Sequence, residues 1–158
     1  LACPERSRRA CPERSRRAHP APSTLIGRAL VSGTATGEVL ASAEPLSFWG
    51  GYDAKTGEII DRRHPLAGAS AAGRVLAVPF TRGSSTTTAI LLEAVRCGTA
   101  PAAIVTSQVD SFLALASIVA DELYGKPIPI VAVSPDNFSA LRTGQRLELL
   151  TDGRLRVP

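Results

Sequence analysis

The chain has 158 residues, enough for one domain with a core of its own, and 18 basic against 14 acidic residues give it a formal net charge of +4. The excess sits at the start: subtracting the six Arg and two Glu of residues 1–22 leaves 12 basic and 12 acidic residues, so the neutral body gives no reason to expect a nucleic-acid partner. No run approaches the roughly 18 apolar residues of a membrane span, and no apolar segment of about 7 to 15 residues follows the basic start as in a secretory signal, so a soluble, cytoplasmic protein is expected.

Residues 2–9 read ACPERSRR, and residues 10–17 repeat them without change. With a Pro in each copy and no apolar face, the segment cannot bury enough surface to offset the entropy of ordering. Residues 1–23 are therefore expected to be a disordered tail, of the kind a translated short DNA repeat would give, and residues 24–158 one domain. Cys3 and Cys11 belong to the repeat, which leaves Cys97 alone in the body. One thiol makes neither a disulfide nor a metal cage, and Cys97 is expected as a small, partly buried hydrophobe at a helix end.

Two apolar-rich runs, 25–32 and 37–42, separated by small residues, read as a strand pair. Residues 43–73 then form a long irregular connection with Gly50-Gly51, a Lys-Thr-Gly turn and little periodicity; such a stretch in a compact domain is usually functional or disordered, and its aromatic and glycine content favours function. RVLAVPF (74–80) is of strand length. Ser84–Thr88 open a helix to about Arg96, with Ile90, Leu91, Ala94 and Val95 on one face and Gly98 as its stop.

AAIVTS (102–107) reads as a buried strand. A helix follows from Asp110/Ser111, with Phe112, Leu115, Ala116, Val119 and Leu123 as its apolar face and Gly125 and Pro127 as its end. IPIVAV (128–133) is a third buried strand, and Ser134 ahead of Pro135 caps a short helix. The last residues form a hairpin around Asp152-Gly153. Alternating strands and helices imply parallel pairing, so the class is a compact α/β domain with a parallel core sheet and flanking β-hairpins.

The chemistry concentrates at residues 81–88, TRGSSTTT. Hydroxyls at a helix start satisfy otherwise unpaired amides, but one or two suffice for that, and here there are five in a row. The same helix start, with Arg82 beside it, favours negative charge and lowers the cost of an ionised Ser84.

The blocks Ser47-Phe48-Trp49-Gly50-Gly51 with Asp53 and Thr56-Gly57, then Asp61, His64-Pro65-Leu66 and Gly68, then Gly83-Ser84 and Thr99-Ala100-Pro101-Ala102, follow one another in an order that resembles the small subunit, or swivel domain, of the aconitase X family. The likeness runs from about Leu25 to the C-terminus. It implies a swivelling β/β/α domain that docks on a large aconitase X catalytic subunit as a heterodimer. It implies that Ser84 is the proton acceptor in a dehydratase acting on a small hydroxy acid, and that the large subunit carries an iron–sulfur cluster acting as Lewis acid on the leaving hydroxyl. No cofactor or metal ligand is expected in this chain.

Arg82, Gly83, Ser85, Thr86, Gly50 and Gly51 are expected to bind substrate or line the pocket, the glycines presenting amides without a Cβ in the way. Phe48, Trp49, Asp53 and His64 are expected in docking or support: Trp49 as an interface anchor or core residue, Asp53 and Asp61 chiefly as turn-formers, His64 as structural or catalytic. Within the resemblance the substrate is expected to be cis-3-hydroxy-L-proline, with mevalonate 5-phosphate as the alternative. A phosphohistidine carrier domain would need a histidine at the Ser84 turn, which has none, and a non-catalytic partner module remains the other reading.

Overall fold

A computed structural model describes residues 23–158; the octapeptide repeat and the disorder expected there lie outside the described residues. Seven strands and three helices follow in order: β1 (Ser23–Val31), β2 (Ala35–Ala41), β3 (Val75–Ala77), α1 (Ser85–Cys97), β4 (Ala103–Thr106), α2 (Ser111–Tyr124), β5 (Ile130–Val133), α3 (Pro135–Ser139), β6 (Arg146–Leu149) and β7 (Arg154–Val157). The strands close in the order β1-β5-β4-β3-β2-β6-β7. The expected α/β class with a parallel core holds: β2, β3, β4 and β5 run parallel, joined by α1 and α2.

The parallel strands read as continuous apolar runs because both their faces are buried. Leu76 and Val78, Ile104 and Ile130 face the cluster under α1 and α2, which also takes in Phe48, Tyr52, Ile59 and Leu91. Their neighbours Val75, Ala77, Ala103, Val105, Val131 and Val133 face the barrel interior with Leu147, Leu149 and Leu155. This is the two-residue alternation of strands applied to two cores at once.

The hairpin at the end is as expected, with Gly153 at φ 86° in its turn. The first strand pair is a correction. β1 and β2 both exist but do not pair with each other. β1 gives residues 23–26 to β7 and 27–31 to β5, while β2 gives 35–38 to β6 and 39–41 to β3. Each long strand thus changes partner midway, and the parallel trio lies between their C-terminal halves. The connection between them passes the start of β5 so closely that a Cβ on Gly33 would stand 2.6 Å from Pro129 Cγ.

Two further expectations change. On α2 the buried side is Leu113, Ala116, Ser117 and Ala120, so Phe112, Leu115 and Leu123 point outward instead of inward. Cys97 is exposed, at the solvent side of the last turn of α1. No helix among the described residues is long and apolar enough to cross a membrane.

Candidate functional site

Residues 81–84 form the link from β3 into α1, and two neighbours hold it. On one side the backbone N–H and hydroxyl of Thr81 both donate to Asp110 Oδ2, at 2.9 and 2.6 Å, while Asp110 Oδ1 accepts from the amides of Phe112 and Leu113 and so caps α2. On the other side Leu46 and Thr81 form a parallel bridge, and the Arg82 amide donates to the Leu46 carbonyl at 2.9 Å. Ser47–Gly50 and Arg82–Ser84 therefore leave that bridge in the same direction.

Gly83 takes φ 149°, and a Cβ there would crowd Thr87 Oγ1 at 2.8 Å. That hydroxyl is buried and has no hydrogen-bond partner among the described residues. Ser84 occupies the N-cap position of α1, and its carbonyl accepts from the Thr87 amide at 2.9 Å, yet its side chain caps nothing. The contrast within the molecule is clear, because Asp110 caps α2 and Ser134 Oγ accepts from the Asn137 amide at the start of α3. The Ser84 hydroxyl is exposed, with the Thr86 hydroxyl 3.5 Å away. Ser85 is exposed and Thr86 half-buried on the same turn.

Beside this turn Glu44, Pro45, Asp61, Arg63, His64 and Arg82 line a polar cavity of about 270 Å³. Neither Arg63 nor Arg82 has a carboxylate partner within ion-pair distance among the described residues. His64 is buried and fully committed: Nε2 lies 3.2 Å from the Glu44 carbonyl, to which it donates, and Nδ1 accepts from the Leu66 amide at 3.2 Å. With both ring nitrogens engaged, His64 fixes the wall of the cavity.

The glycine loop divides by role. Phe48 is fully buried, its ring 5.0 Å from that of Tyr52, whereas Trp49 is 67% exposed, which excludes the core position. Gly50 takes φ 69° in open space. Gly51 is glycine for an internal reason, since a Cβ would meet the Ser47 carbonyl oxygen at 2.2 Å.

Asp53 stands apart. Its carboxylate accepts from the Lys55 amide, which holds it below the usual carboxylate range, and the adjoining Ala54 carbonyl is bonded by the Thr99 hydroxyl just beyond the C-terminal end of α1. Thirteen helical residues, about 20 Å, separate that end from Ser84. Tyr52 donates to the Thr99 carbonyl from the same side, so the Thr99 block braces the glycine loop and does not line the site.

The expected site residues Arg82, Gly83, Ser84, Ser85 and Thr86 thus share one turn, with His64 on the adjoining cavity wall. Sequence reasoning passed over Thr81 and Arg63, and gave Asp110 only its helix start. The N-cap signal marks Asp110, but its second oxygen is committed through a contact 29 residues back in the chain. No group of three or more His, Cys, Asp or Glu placed to hold a metal occurs among the described residues, and Cys97 lies at the far end of α1. An iron–sulfur cluster does not fit these residues.

Residues 24–157 match the family model described as the aconitase X swivel domain. The chain is 45% identical over 133 residues to a cis-3-hydroxy-L-proline dehydratase of Pseudomonas aeruginosa, an alignment covering 84% of this chain and 23% of that protein. It is 39% identical to the phosphomevalonate dehydratase small subunit of Methanopyrus kandleri, covering 76% of this chain and 85% of the relative. The chain thus spans about a quarter of the Pseudomonas protein and most of the Methanopyrus one. The crystal structure of Thermococcus kodakaraensis aconitase X in its holo-form superposes with a TM-score of 0.77 at 32% identity, covering 86% of this chain and 98% of that one.

Proposed function

The chain belongs to the aconitase X family as its swivel domain, and from that premise we propose that it is one half of a dehydratase active site, in which Ser84 removes a proton from the carbon next to the one losing hydroxide. The observation that carries this is the Ser84 hydroxyl: it stands at a helix start, caps no amide and is open to a ligand. The first-turn amides and Arg82 favour the ionised form, the condition a serine must meet to act as a base. Arg82 and Arg63, both without carboxylate partners among the described residues, supply charge for an anionic substrate group at the polar cavity, and His64 keeps that wall rigid.

The other half of the site belongs to a large partner. The printed name of the Methanopyrus relative, a small subunit, and the additional length of the Pseudomonas relative support this. Since the described residues do not fit an iron–sulfur cluster, such a centre would be held by that partner and would supply a Lewis acid there. Residues 24–158 form the folding unit. The substrate is cis-3-hydroxy-L-proline, supported by the 45% identity to the Pseudomonas dehydratase; mevalonate 5-phosphate is the second substrate to assay, given the Methanopyrus relative at 39%.

The test is anaerobic co-expression with the large subunit and assay of both compounds with wild type and Ser84→Ala. Loss of about 10²- to 10⁴-fold in turnover by a complex that still assembles supports the base assignment. Near-normal turnover removes it and leaves a scaffold.

A further inference from the structure

Helix α2 turns two faces to its surroundings. Leu113, Ala116 and Ala120 pack inward, and Ser117 Oγ is locked to both the amide and the carbonyl of Ile128. Outward lie Phe112, Leu115 and Ile118, with Val109 just before the helix, recurring every third residue, all exposed and Ile118 53% so. Leu115 and Ile118 form a groove of about 510 Å³ with Arg28, Ala29 and Leu30 of β1. A contiguous apolar surface of this kind on a small domain marks an interaction site.

We propose that this outer face of α2, with the β1 groove, is the surface on which the large catalytic partner seats. The inference rests on the partner assigned above and adds where it binds. The face is continuous with the Ser84 turn, because the Thr88 hydroxyl in the first turn of α1 donates to the Phe112 carbonyl at 3.1 Å and Asp110 ties Thr81 to the start of α2. Trp49, leaving the Leu46–Thr81 bridge alongside Arg82–Ser84, is exposed on the other side of that turn. A protein that covers Ser84 therefore meets apolar side chains on both flanks.

The chain's own start fits less well. Residues 1–22 contain a single leucine and no aromatic, Ile, Val or Met, so they have nothing to fill an apolar groove.

The test is the double variant Leu115→Glu/Ile118→Glu, titrated with the purified large subunit and followed by sedimentation. Both side chains are about half in water already, so the variant's circular dichroism and thermal midpoint should match wild type. Affinity for the large subunit should fall at least 100-fold, and excess partner should restore turnover. Affinity within threefold of wild type overturns the assignment. A change in self-association with partner affinity intact also overturns it, giving the face to a second copy. If the wild-type chain does not bind the large subunit, the partner reading falls and this surface with it. If Ser84→Ala stays active while the α2 variant dissociates, the base assignment fails and the surface stands.

Discussion

One carboxylate oxygen of Asp110 accepts both the amide and the hydroxyl of Thr81, at 2.9 and 2.6 Å, and the other oxygen caps α2. A single side chain therefore sets the position of the Ser84 turn relative to the second helix. Asp110→Ala loses a cap worth about 1 kcal/mol and strands two buried donors at about 1 to 3 kcal/mol each. A loss of at least about 3 kcal/mol is expected in urea denaturation, with Asp110→Asn falling between it and wild type.

Ser84 and Ser134 occupy the same position at the starts of two helices, but the Ser134 side chain bonds a backbone amide and the Ser84 side chain does not. Ser134→Ala should cost about 1 kcal/mol and Ser84→Ala less than about 0.5 kcal/mol. Equal costs in parallel denaturation curves would mean that Ser84 is an ordinary cap.

Thr87 buries a hydroxyl with no partner among the described residues. Thr87→Val keeps the shape and removes the desolvated group, so stability should rise by about 1 kcal/mol, read as a higher thermal midpoint.

The paired glycines should separate cleanly. Gly51→Ala drives a Cβ into the Ser47 carbonyl, and more than about 2 kcal/mol of destabilisation is expected. Gly50→Ala meets open space and bears only the left-handed backbone cost of about 1 kcal/mol.

Burial raises the Tyr52 hydroxyl above its ordinary value. The folded state therefore holds this proton more tightly than the unfolded chain does, so the contribution is complete below about pH 10 and is lost as pH rises beyond it. Urea midpoints measured from pH 8 to 11.5 should fall more steeply for wild type than for Tyr52→Phe. At pH 7 the variant should be about 1 kcal/mol weaker for want of the bond to the Thr99 carbonyl.

Much of this was legible in the chain because it is written locally. Gly98 and Gly125 end their helices, Ser134-Pro135 starts one, and Asp152-Gly153 turns a hairpin, each through the backbone chemistry of a few neighbouring residues. The Ser84 turn was visible for the same reason. The pairing of β1 was not, since three strands formed much later in the sequence come between it and β2. The outward aim of Phe112, Leu115 and Leu123 was hidden because α2 is apolar nearly all round. Periodicity cannot tell a side that meets its own sheet from a side that meets another protein. Cys97 misled for the opposite reason, since a residue type that is usually buried sits at a helix end where Arg96 and Glu93 pair in water.

Ser23, the first described residue, lies directly opposite Val157, the last residue of β7. The domain is therefore a loop in space whose two ends meet, and a covalent join can be made at either end without rebuilding any strand. A tether to another polypeptide can leave from the front or the back of the domain with the same reach toward Ser84. A domain of this kind can thus match about a quarter of the Pseudomonas dehydratase and most of the Methanopyrus small subunit. A circular permutant with Val157 linked to Ser23 and new ends opened in the irregular segment around Gly68 should keep the barrel intact.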